Sequence, residues 1–250
     1  MRASGANVSE LFVSFQGEGG HAGRRHLFVR FGGCPLRCRY CDTPESLVPV
    51  ATCRIVGADG VHRRPNPITA ADLDAEIAAL VATAPPLHAV AVTGGEPLVQ
   101  VDFLESWLAG RDDALPVLLE TAGIWPDRLA RVLPWTAIVS LDVKCPSNSG
   151  ERPRWEEHAA CLSAAVAAGR DVYVKMPVDD ATLPEEVERG ARLVASASPA
   201  VPLFLTPLTA PDSPVLAISA ATLERLHAAA SRQHPDVRIL PQLHKVLGIL

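Results

Sequence analysis

The sequence lacks the features that mark membrane proteins and nucleic-acid-binding proteins. No apolar run reaches the roughly 18 residues that a membrane span requires. The 23 Lys and Arg residues are outnumbered by 28 Asp and Glu residues, and the net charge of −5 leaves no basic excess for phosphate contacts. Residues 1–5 have none of the apolar character of a secretory signal. We therefore expect a cytoplasmic protein that binds neither a membrane nor nucleic acid.

Cysteine is too scarce for a disulfide-stabilised secreted protein. The chain has six cysteines in 250 residues, whereas small secreted domains carry a much denser set. Three of the six fall within residues 34–41. In a reducing compartment, thiols spaced this closely more often bind a metal or carry out redox chemistry than form disulfides. The other three, Cys53, Cys145 and Cys161, are expected to be packing residues.

The chain does contain enough apolar sequence for a sizeable core, because 48% of its residues are hydrophobic. Short apolar runs alternate with amphipathic stretches, which is typical of βαβ units with a parallel sheet. The clearest helix spans 70–82 behind the capping residue Thr69, and other helices follow Pro97, Pro126, Arg152, Leu183 and Ser219. The predicted strands are 10–15, 26–31, 88–93, 116–121, 137–143, 171–176, 201–206 and 236–240.

Six or so βα units predict an α/β fold with a partial or complete barrel, in one domain spanning 1–250. Residues at about 44–68 include Pro, Gly and charged residues without clear periodicity, and we predict a loop or a small insertion there. In βα folds, functional residues gather where the strands end, at the carboxyl edge of the sheet. Motifs that directly follow a predicted strand are therefore the candidates for function.

The cysteine cluster follows the predicted strand 26–31 and has the spacing C-x3-C-x2-C, formed by Cys34, Cys38 and Cys41. Three thiolates would leave one iron of a [4Fe-4S] cluster without a protein sulfur and open to another ligand. Zinc is an alternative if His62 or Cys53 supplies a fourth ligand. The remaining hypothesis is that the three cysteines bind no metal and serve only as packing residues.

A second motif, Gly94-Gly95-Glu96-Pro97, follows the predicted strand 88–93. Alone it reads as an ordinary turn, although two glycines let the backbone approach a ligand closely. Together, the cysteine spacing and this motif resemble the radical S-adenosylmethionine (SAM) superfamily. The resemblance implies a partial (βα)6-type TIM-like barrel, with a parallel sheet and outer helices. It also implies a [4Fe-4S] cluster whose open iron binds SAM, so that SAM can be cleaved reductively to a radical.

Further motifs narrow the resemblance to the 7-carboxy-7-deazaguanine synthase family. They are Phe15-Gln16-Gly17-Glu18, Phe28-Val29-Arg30-Phe31, Cys41-Asp42-Thr43, Ser140-Leu141-Asp142-Val143-Lys144 and Pro241-Gln242-Leu243-His244. The resemblance implies a lyase of queuosine and deazapurine biosynthesis that converts 6-carboxy-5,6,7,8-tetrahydropterin to 7-carboxy-7-deazaguanine with loss of ammonia, assisted by Mg2+. A glycyl-radical-enzyme activase shares the cysteine spacing and is an alternative, as is a non-catalytic zinc-binding module.

The same resemblance assigns roles to individual residues. The pterin would be bound by Phe15, Gln16, Gly17, Glu18, Arg30, Thr93, His244 and Leu250, with Arg30 pairing with the substrate carboxylate. SAM would be bound by Tyr40, Asp42, Gly95, Glu96, Ser140, Leu141, Asp142, Lys144, Thr206 and Pro207. Cys34, Cys38 and Cys41 would hold the cluster, and Thr43 would bind Mg2+. An electron donor such as flavodoxin or ferredoxin and a homodimer are also implied.

Overall fold

The strands form one sheet. The computed structural model describes residues 5–111, 115–210 and 215–249. Within these ranges, ten strands pair in the order β10-β9-β8-β7-β6-β5-β2-β1-β3-β4. Their bounds are β1 Val8–Phe15, β2 Arg25–Phe31, β3 Thr52–Gly57, β4 Gly60–Pro65, β5 Ala89–Gly94, β6 Val117–Thr121, β7 Ile138–Asp142, β8 Asp171–Val178, β9 Leu203–Pro207 and β10 Val237–Ile239.

Helices follow the strands along most of the chain. They are α1 Ala70–Thr83, α2 Val101–Ala109, α3 Pro126–Val132, α4 Pro146–Ser149, α5 Trp155–Ala167, α6 Pro184–Ala197, α7 Ala220–Ser231 and α8 Leu243–Leu247. Short 3-10 turns span Gly19–His21, Pro44–Leu47, Pro97–Gln100 and Leu133–Trp135. In the described part of the chain, no helix has the length and apolar character needed to cross a membrane.

The predicted barrel is confirmed. Strand β2 and strands β5 to β10 run parallel in neighbouring pairs. Each of the strands β2 and β5 to β9 is followed along the chain by a helix. The pairs are β2–α1, β5–α2, β6–α3, β7–α5, β8–α6 and β9–α7, with the hairpin β3–β4 between β2 and α1 and the short helix α4 between β7 and α5. The result is six βα units in an open sheet, which is a partial (βα)6 barrel. All eight predicted strands are present, with ends that differ from the prediction by two residues or fewer.

Residues 44–68, where the sequence predicts a loop or a small insertion, contain strands of their own. They contain the hairpin β3–β4, in which β3 pairs parallel to β1 and β4 pairs antiparallel to β3. Cys53 and Ile55 of β3 are buried, but every residue of β4 is exposed. An edge strand with no buried face shows no apolar alternation, which is why periodicity did not identify it.

Successive residues of each strand alternate between two apolar layers. In β2, Leu27, Val29 and Phe31 pack in the large core shared with the helices. Phe28 belongs instead to a smaller cluster made of strand residues such as Phe12 and Tyr173, which fills the barrel interior. Cys145 and Cys161 are fully buried in the large core, as expected of packing residues, and Cys53 lies in the same core. This alternation determines which side chains face inward, where the site lies.

Candidate active site

Each of the parallel strands β2 and β5 to β9 places a polar side chain on its inner face, in the carboxyl half of the strand. All six side chains line a single cavity of about 650 Å3. In β8, for example, Lys175 follows the inward Tyr173 by two residues, so it faces the same side of the sheet. The six residues are Arg30, Thr93, Glu120, Asp142, Lys175 and Thr206.

The cysteine loop lies at the mouth of this cavity. Cys34, Cys38 and Cys41 are free, half-buried thiols, and all three line the cavity. The loop is held from outside through its backbone: Cys34 N donates to Leu47 O at 3.1 Å, and Arg39 N donates to Ser149 O at 2.9 Å. The loop geometry therefore depends on the turn Pro44–Leu47 and on α4, together with a hydrogen bond within the loop from Cys41 N to Cys38 O at 3.1 Å.

The donor set fits a cluster with three protein thiolates better than it fits a four-ligand zinc site. Both fourth ligands considered for zinc lie elsewhere: Cys53 is fully buried in the large core, and His62 Nε2 lies 3.0 Å from Glu76 Oε2. Cys34 and Cys38 pack beside the apolar side chains of Leu36, Ala122 and Ile124. Burial raises the pKa of the Cys34 thiol to about 11, so metal binding must displace its proton.

Gly94 and Gly95 allow the end of β5 to lie against the cysteine loop. Gly95 N donates to Phe31 O at 3.0 Å, and Glu96 N donates to Gly33 O at 2.9 Å. A Cβ atom on Gly94 would lie 2.2 Å from Phe31 O, and one on Gly95 would lie 2.5 Å from Gly33 O. The two glycines are therefore required by this close backbone approach, and Gly95 also lines the cavity.

Glu96 holds the structure around the site instead of facing the cavity. Its fully buried carboxylate accepts hydrogen bonds from Leu98 N at 3.0 Å and Ala122 N at 2.7 Å. The Thr121 hydroxyl donates to the same carboxylate at 3.0 Å. Burial raises the pKa of Glu96, although these donors oppose the shift. The carboxylate thus ties the turn after β5 to the end of β6.

A chain of alternating charges crosses the cavity. Lys175 Nζ lies 2.5 Å from Glu18 Oε2 and 3.3 Å from Asp142 Oδ1, and Lys144 Nζ lies 2.9 Å from Asp142 Oδ2. Burial acts to raise the pKa of Glu18 and of Asp142, but the lysines outweigh it and lower both pKa values. Burial likewise opposes the charge of each lysine, yet the carboxylates raise both lysine pKa values. All four groups therefore remain ionised at neutral pH.

The charge chain reaches the cysteine loop through Tyr40. Lys144 Nζ lies 5.7 Å from the centre of the Tyr40 ring, within the range of a cation–π interaction. The Tyr40 hydroxyl and the Thr206 hydroxyl are buried without a hydrogen-bond partner among the described residues, and both residues line the cavity. Both hydroxyls are therefore buried polar groups without a partner in the described part of the chain, in residues that contribute to the cavity wall.

Glu120 organises another side of the cavity. Its carboxylate accepts from Gln16 Nε2 at 2.8 Å and from the Thr93 hydroxyl at 2.8 Å. Arg30 lies nearby on β2, where its Nε is 3.5 Å from Glu10 Oε2 and its guanidinium lies 5.6 Å from the Phe12 ring centre. This side therefore combines an amide, a hydroxyl and a guanidinium over an aromatic ring.

The C-terminal segment covers the cavity. Gln242 Nε2 donates to Glu18 Oε1 at 2.8 Å and to Asp42 Oδ2 at 3.2 Å. Leu243 N donates to Gly17 O at 2.9 Å, which brings His244 against the chain at Gly17. A Cβ atom on Gly17 would lie only 2.1 Å from His244 Nδ1. Glycine at this position is thus needed for the segment to close over the site.

Most residues that the resemblance assigned to the site do line the cavity. They are Phe15, Gln16, Gly17, Glu18, Arg30, Cys34, Cys38, Tyr40, Cys41, Asp42, Thr43, Thr93, Gly95, Asp142, Lys144, Thr206 and His244. Glu96, Ser140, Leu141 and Pro207 are buried but are not part of the lining, and Leu250 lies outside the described residues. Leu141 faces the helix-side core, which is the opposite side of β7 from Asp142.

Sequence reasoning missed several polar lining residues. Lys175 is the most important, and its signal was a lone charge within the buried run of β8. Glu120 also carried a signal, since it lies at the carboxyl end of a predicted strand. Gln242 belongs to a motif that supported the family resemblance but received no role of its own.

Comparison with known proteins agrees with this architecture. Residues 28–194 match the model of the radical SAM superfamily. Two solved structures share the fold. One is the crystal structure of QueE from Escherichia coli, with a TM-score of 0.56 and 20% identity over 96% of this chain and 95% of that chain. The other is a radical SAM methyltransferase from Sphaerobacter thermophilus, with a TM-score of 0.61 and 16% identity over 93% of this chain and 77% of that chain.

Curated relatives are similar over their full length. The 7-carboxy-7-deazaguanine synthase of Geobacter sulfurreducens is 36% identical over 100% of both chains. The synthase of Methanopyrus kandleri is 32% identical over 98% of this chain and 95% of the relative. The chain therefore belongs to the radical SAM superfamily and, within it, to the 7-carboxy-7-deazaguanine synthase family.

Proposed function

We propose that the protein is a radical SAM lyase that converts 6-carboxy-5,6,7,8-tetrahydropterin to 7-carboxy-7-deazaguanine with loss of ammonia, in queuosine or deazapurine biosynthesis. The observation that carries this proposal is that three free thiols and six inward polar side chains line the same cavity. The full-length relatives carry the name of this activity. The activase and zinc-module alternatives are not favoured by these relatives.

In this proposal, Cys34, Cys38 and Cys41 hold the [4Fe-4S] cluster. When bound, the cluster and SAM supply the one-electron reductive chemistry that starts the radical reaction. The residues beside the cysteine loop then bind SAM. Lys144 and Asp142, which already form an ion pair, offer one charge of each sign for its carboxylate and amino groups. The unpartnered hydroxyls of Tyr40 and Thr206 offer further polar contacts.

The part of the cavity around Gln16, Glu18 and Arg30 suits the pterin. A pterin is a flat heterocycle with hydrogen-bond donors and acceptors on its edge, and an amide or carboxylate side chain can match both. Glu18 would accept from the ring amino or N–H groups while Lys175 keeps it ionised. Gln16 would share its amide with the ring and Glu120. Arg30 would pair with the substrate carboxylate, exchanging part of its contact with Glu10.

The chain's own residues also exclude water and orient the substrate. Gln242 links the C-terminal segment to Glu18, so substrate binding at Glu18 and closure of the segment are coupled. Thr93 and Gln16 are held by the same Glu120 carboxylate, so both are oriented before the substrate arrives. This arrangement lowers the entropic cost of ordering these side chains when substrate binds.

Several finer assignments belong to the same proposal. Thr43 lines the cavity beside Asp42 and would supply an oxygen ligand to Mg2+. We also propose the further contacts that the resemblance implies. Substrate would contact Leu250, and SAM would contact Glu96, Ser140, Leu141 and Pro207. We further propose one domain spanning 1–250, a homodimer, a cytoplasmic location, and reduction of the cluster by a donor such as flavodoxin or ferredoxin.

The test is product formation by the reconstituted enzyme. Anaerobic protein with a reconstituted cluster would be mixed with SAM, a reductant, Mg2+ and 6-carboxy-5,6,7,8-tetrahydropterin, and 7-carboxy-7-deazaguanine would be detected by mass spectrometry. We expect product from the parent protein, less product without Mg2+, and none from Cys38→Ala. A parent protein that holds its cluster and cleaves SAM but makes no deazaguanine would contradict the substrate assignment.

A further inference from the structure

Three histidines meet at the amino end of the barrel, away from the cavity described above. One ring nitrogen from each of His21, His26 and His88 lies within 4.8 Å of those of the other two. His21 belongs to the turn after β1, His26 to the start of β2, and His88 directly precedes β5. Within the described residues, this is the one group of at least three His, Cys, Asp or Glu side chains that meets this distance.

His26 has no hydrogen-bond partner for either ring nitrogen among the described residues. Its side chain is fully buried. A buried imidazole with neither nitrogen satisfied carries a free-energy cost that a ligand would remove. Alternation along β2 places His26 on the same inner face as Phe28 and Arg30, so its ring is directed into the barrel.

The other two histidines are already oriented as metal ligands. His21 Nε2 lies 2.9 Å from Asp171 Oδ2, and His21 Nδ1 lies 3.0 Å from His88 Nε2. A carboxylate is the usual second partner of a metal-binding histidine, because it holds the proton on one ring nitrogen. With the His21 proton on Nε2, the lone pair is on Nδ1, which now contacts His88 Nε2 and would bind the metal instead.

From this geometry we propose a second metal site, in which His21, His26 and His88 bind one Zn2+ ion or a similar divalent transition metal. Neutral imidazoles suit this class of metal, whereas Mg2+ and Ca2+ prefer oxygen ligands. His88 is the most exposed of the three, so water can take the fourth position on its side. The exposed Arg24 now contacts the His88 ring at 3.0 Å and must move when the metal binds.

The site would stabilise the substrate side of the barrel. His21 lies three residues after Glu18, in the turn Gly19–His21. A metal held by His21, His26 and His88 would tie this turn to β2 and β5, and so would fix the backbone that carries Gln16 and Glu18. None of the three histidines lines the cavity itself, so the proposed role is positioning and not contact with substrate.

The experiment uses cluster-loaded protein, so that the cysteines are occupied before zinc is added. Protein equilibrated with Zn2+ and freed of excess metal would be measured for zinc and iron content and by zinc X-ray absorption. We expect one zinc per chain, with nitrogen scatterers at about 2.0–2.1 Å and no sulfur at about 2.3 Å. The thermal unfolding midpoint should rise with Zn2+.

The variants separate this site from the cysteine loop. His88→Ala should lose the zinc, and the Zn2+-dependent rise in midpoint, while keeping its iron. Asp171→Asn, a surface substitution, should weaken zinc affinity by about 10- to 100-fold. His227→Ala, on α7, is the matched control and should bind zinc as the parent does. The proposal is overturned if the parent retains no zinc, if the zinc is bound by sulfur, or if His88→Ala binds zinc as tightly as the parent.

Discussion

Lys175 and Glu18 are 157 residues apart in the sequence, yet Lys175 Nζ lies 2.5 Å from Glu18 Oε2 inside the barrel. The contact joins the middle of β8 to the segment after β1, and Asp142 extends it to β7. Both partners are largely shielded from water, so removal of Lys175 leaves Glu18 buried without its cation, whereas removal of Glu18 leaves Lys175 paired with Asp142 alone. This ion pair is therefore a structural requirement of the site as well as part of its chemistry.

The first prediction concerns the energetic coupling of this pair. Lys175→Met should lower the free energy of unfolding by about 3 kcal/mol, because Glu18 and Asp142 both lose a cation that offsets their burial. The double variant Lys175→Met with Glu18→Gln should recover part of that loss. Urea unfolding of the parent, both single variants and the double variant measures the coupling. If Glu18→Gln costs the same in both backgrounds, the two residues are not coupled and this account of them is wrong.

The second prediction concerns the close approach at Gly95. Gly95→Ala should prevent normal iron loading, because its Cβ would lie 2.5 Å from Gly33 O and 2.6 Å from Ser46 O and would displace the cysteine loop. Gly110→Ala is the matched control, since its Cβ would meet no described atom closer than 3.5 Å. Iron and acid-labile sulfide measured after anaerobic reconstitution distinguish the two. Normal loading of Gly95→Ala would show that the loop tolerates the clash.

The third prediction separates two arginines that share Glu10. Arg30 and Arg54 both form ion pairs with this carboxylate, but only Arg30 lines the cavity. Arg30→Ala should raise the KM for the pterin by at least about tenfold, the value of one charge-assisted hydrogen bond, while SAM cleavage continues. Arg54→Ala should leave KM close to that of the parent. Equal KM values for Arg30→Ala and the parent would contradict the proposal that Arg30 binds the substrate carboxylate.

The fourth prediction concerns pH. Burial lowers the pKa of His158 to about 4, against about 6.5 in an unfolded chain. Between these values the unfolded chain binds a proton that the folded chain does not, so the free energy of unfolding falls as pH decreases from about 6.5 to about 4. At higher pH the residue contributes no such dependence.

The check is the pH slope of unfolding in two histidine variants. His158→Gln should flatten the slope in that window by as much as about 1.4 kcal/mol per pH unit. His227→Gln, on the outer helix α7, should retain the slope of the parent. Identical slopes for the parent and His158→Gln would mean that another group is responsible.

Sequence periodicity predicted the strands well because each strand has one apolar face packed against the helices, as in Leu27, Val29 and Phe31. It missed the hairpin β3–β4, because every residue of β4 is exposed and β3 buries only Cys53 and Ile55. The cysteine loop was identified by spacing alone. The same reasoning did not reach Lys175, although a charge within an otherwise apolar strand indicates an inward functional position.

Other features depend on tertiary contacts that no local pattern contains. The Glu96 motif is visible in the sequence, but its hydrogen bonds to Leu98, Thr121 and Ala122 depend on how β5 and β6 meet. His21, His26 and His88 come from three separate segments and are brought together only by the pairing of β1, β2 and β5. A single sequence gives each of these histidines the appearance of an ordinary core or surface residue.

The central claim is that three cysteines leave one iron of the cluster open to SAM. The most direct measurement is electron–nuclear double resonance of the reduced, cluster-loaded protein with SAM labelled in its amino and carboxylate groups. We predict four irons per chain and hyperfine coupling from both labelled groups, lost with the cluster in Cys34→Ala. A cluster without coupling to either group, or with a fourth protein ligand on the open iron, would contradict the account.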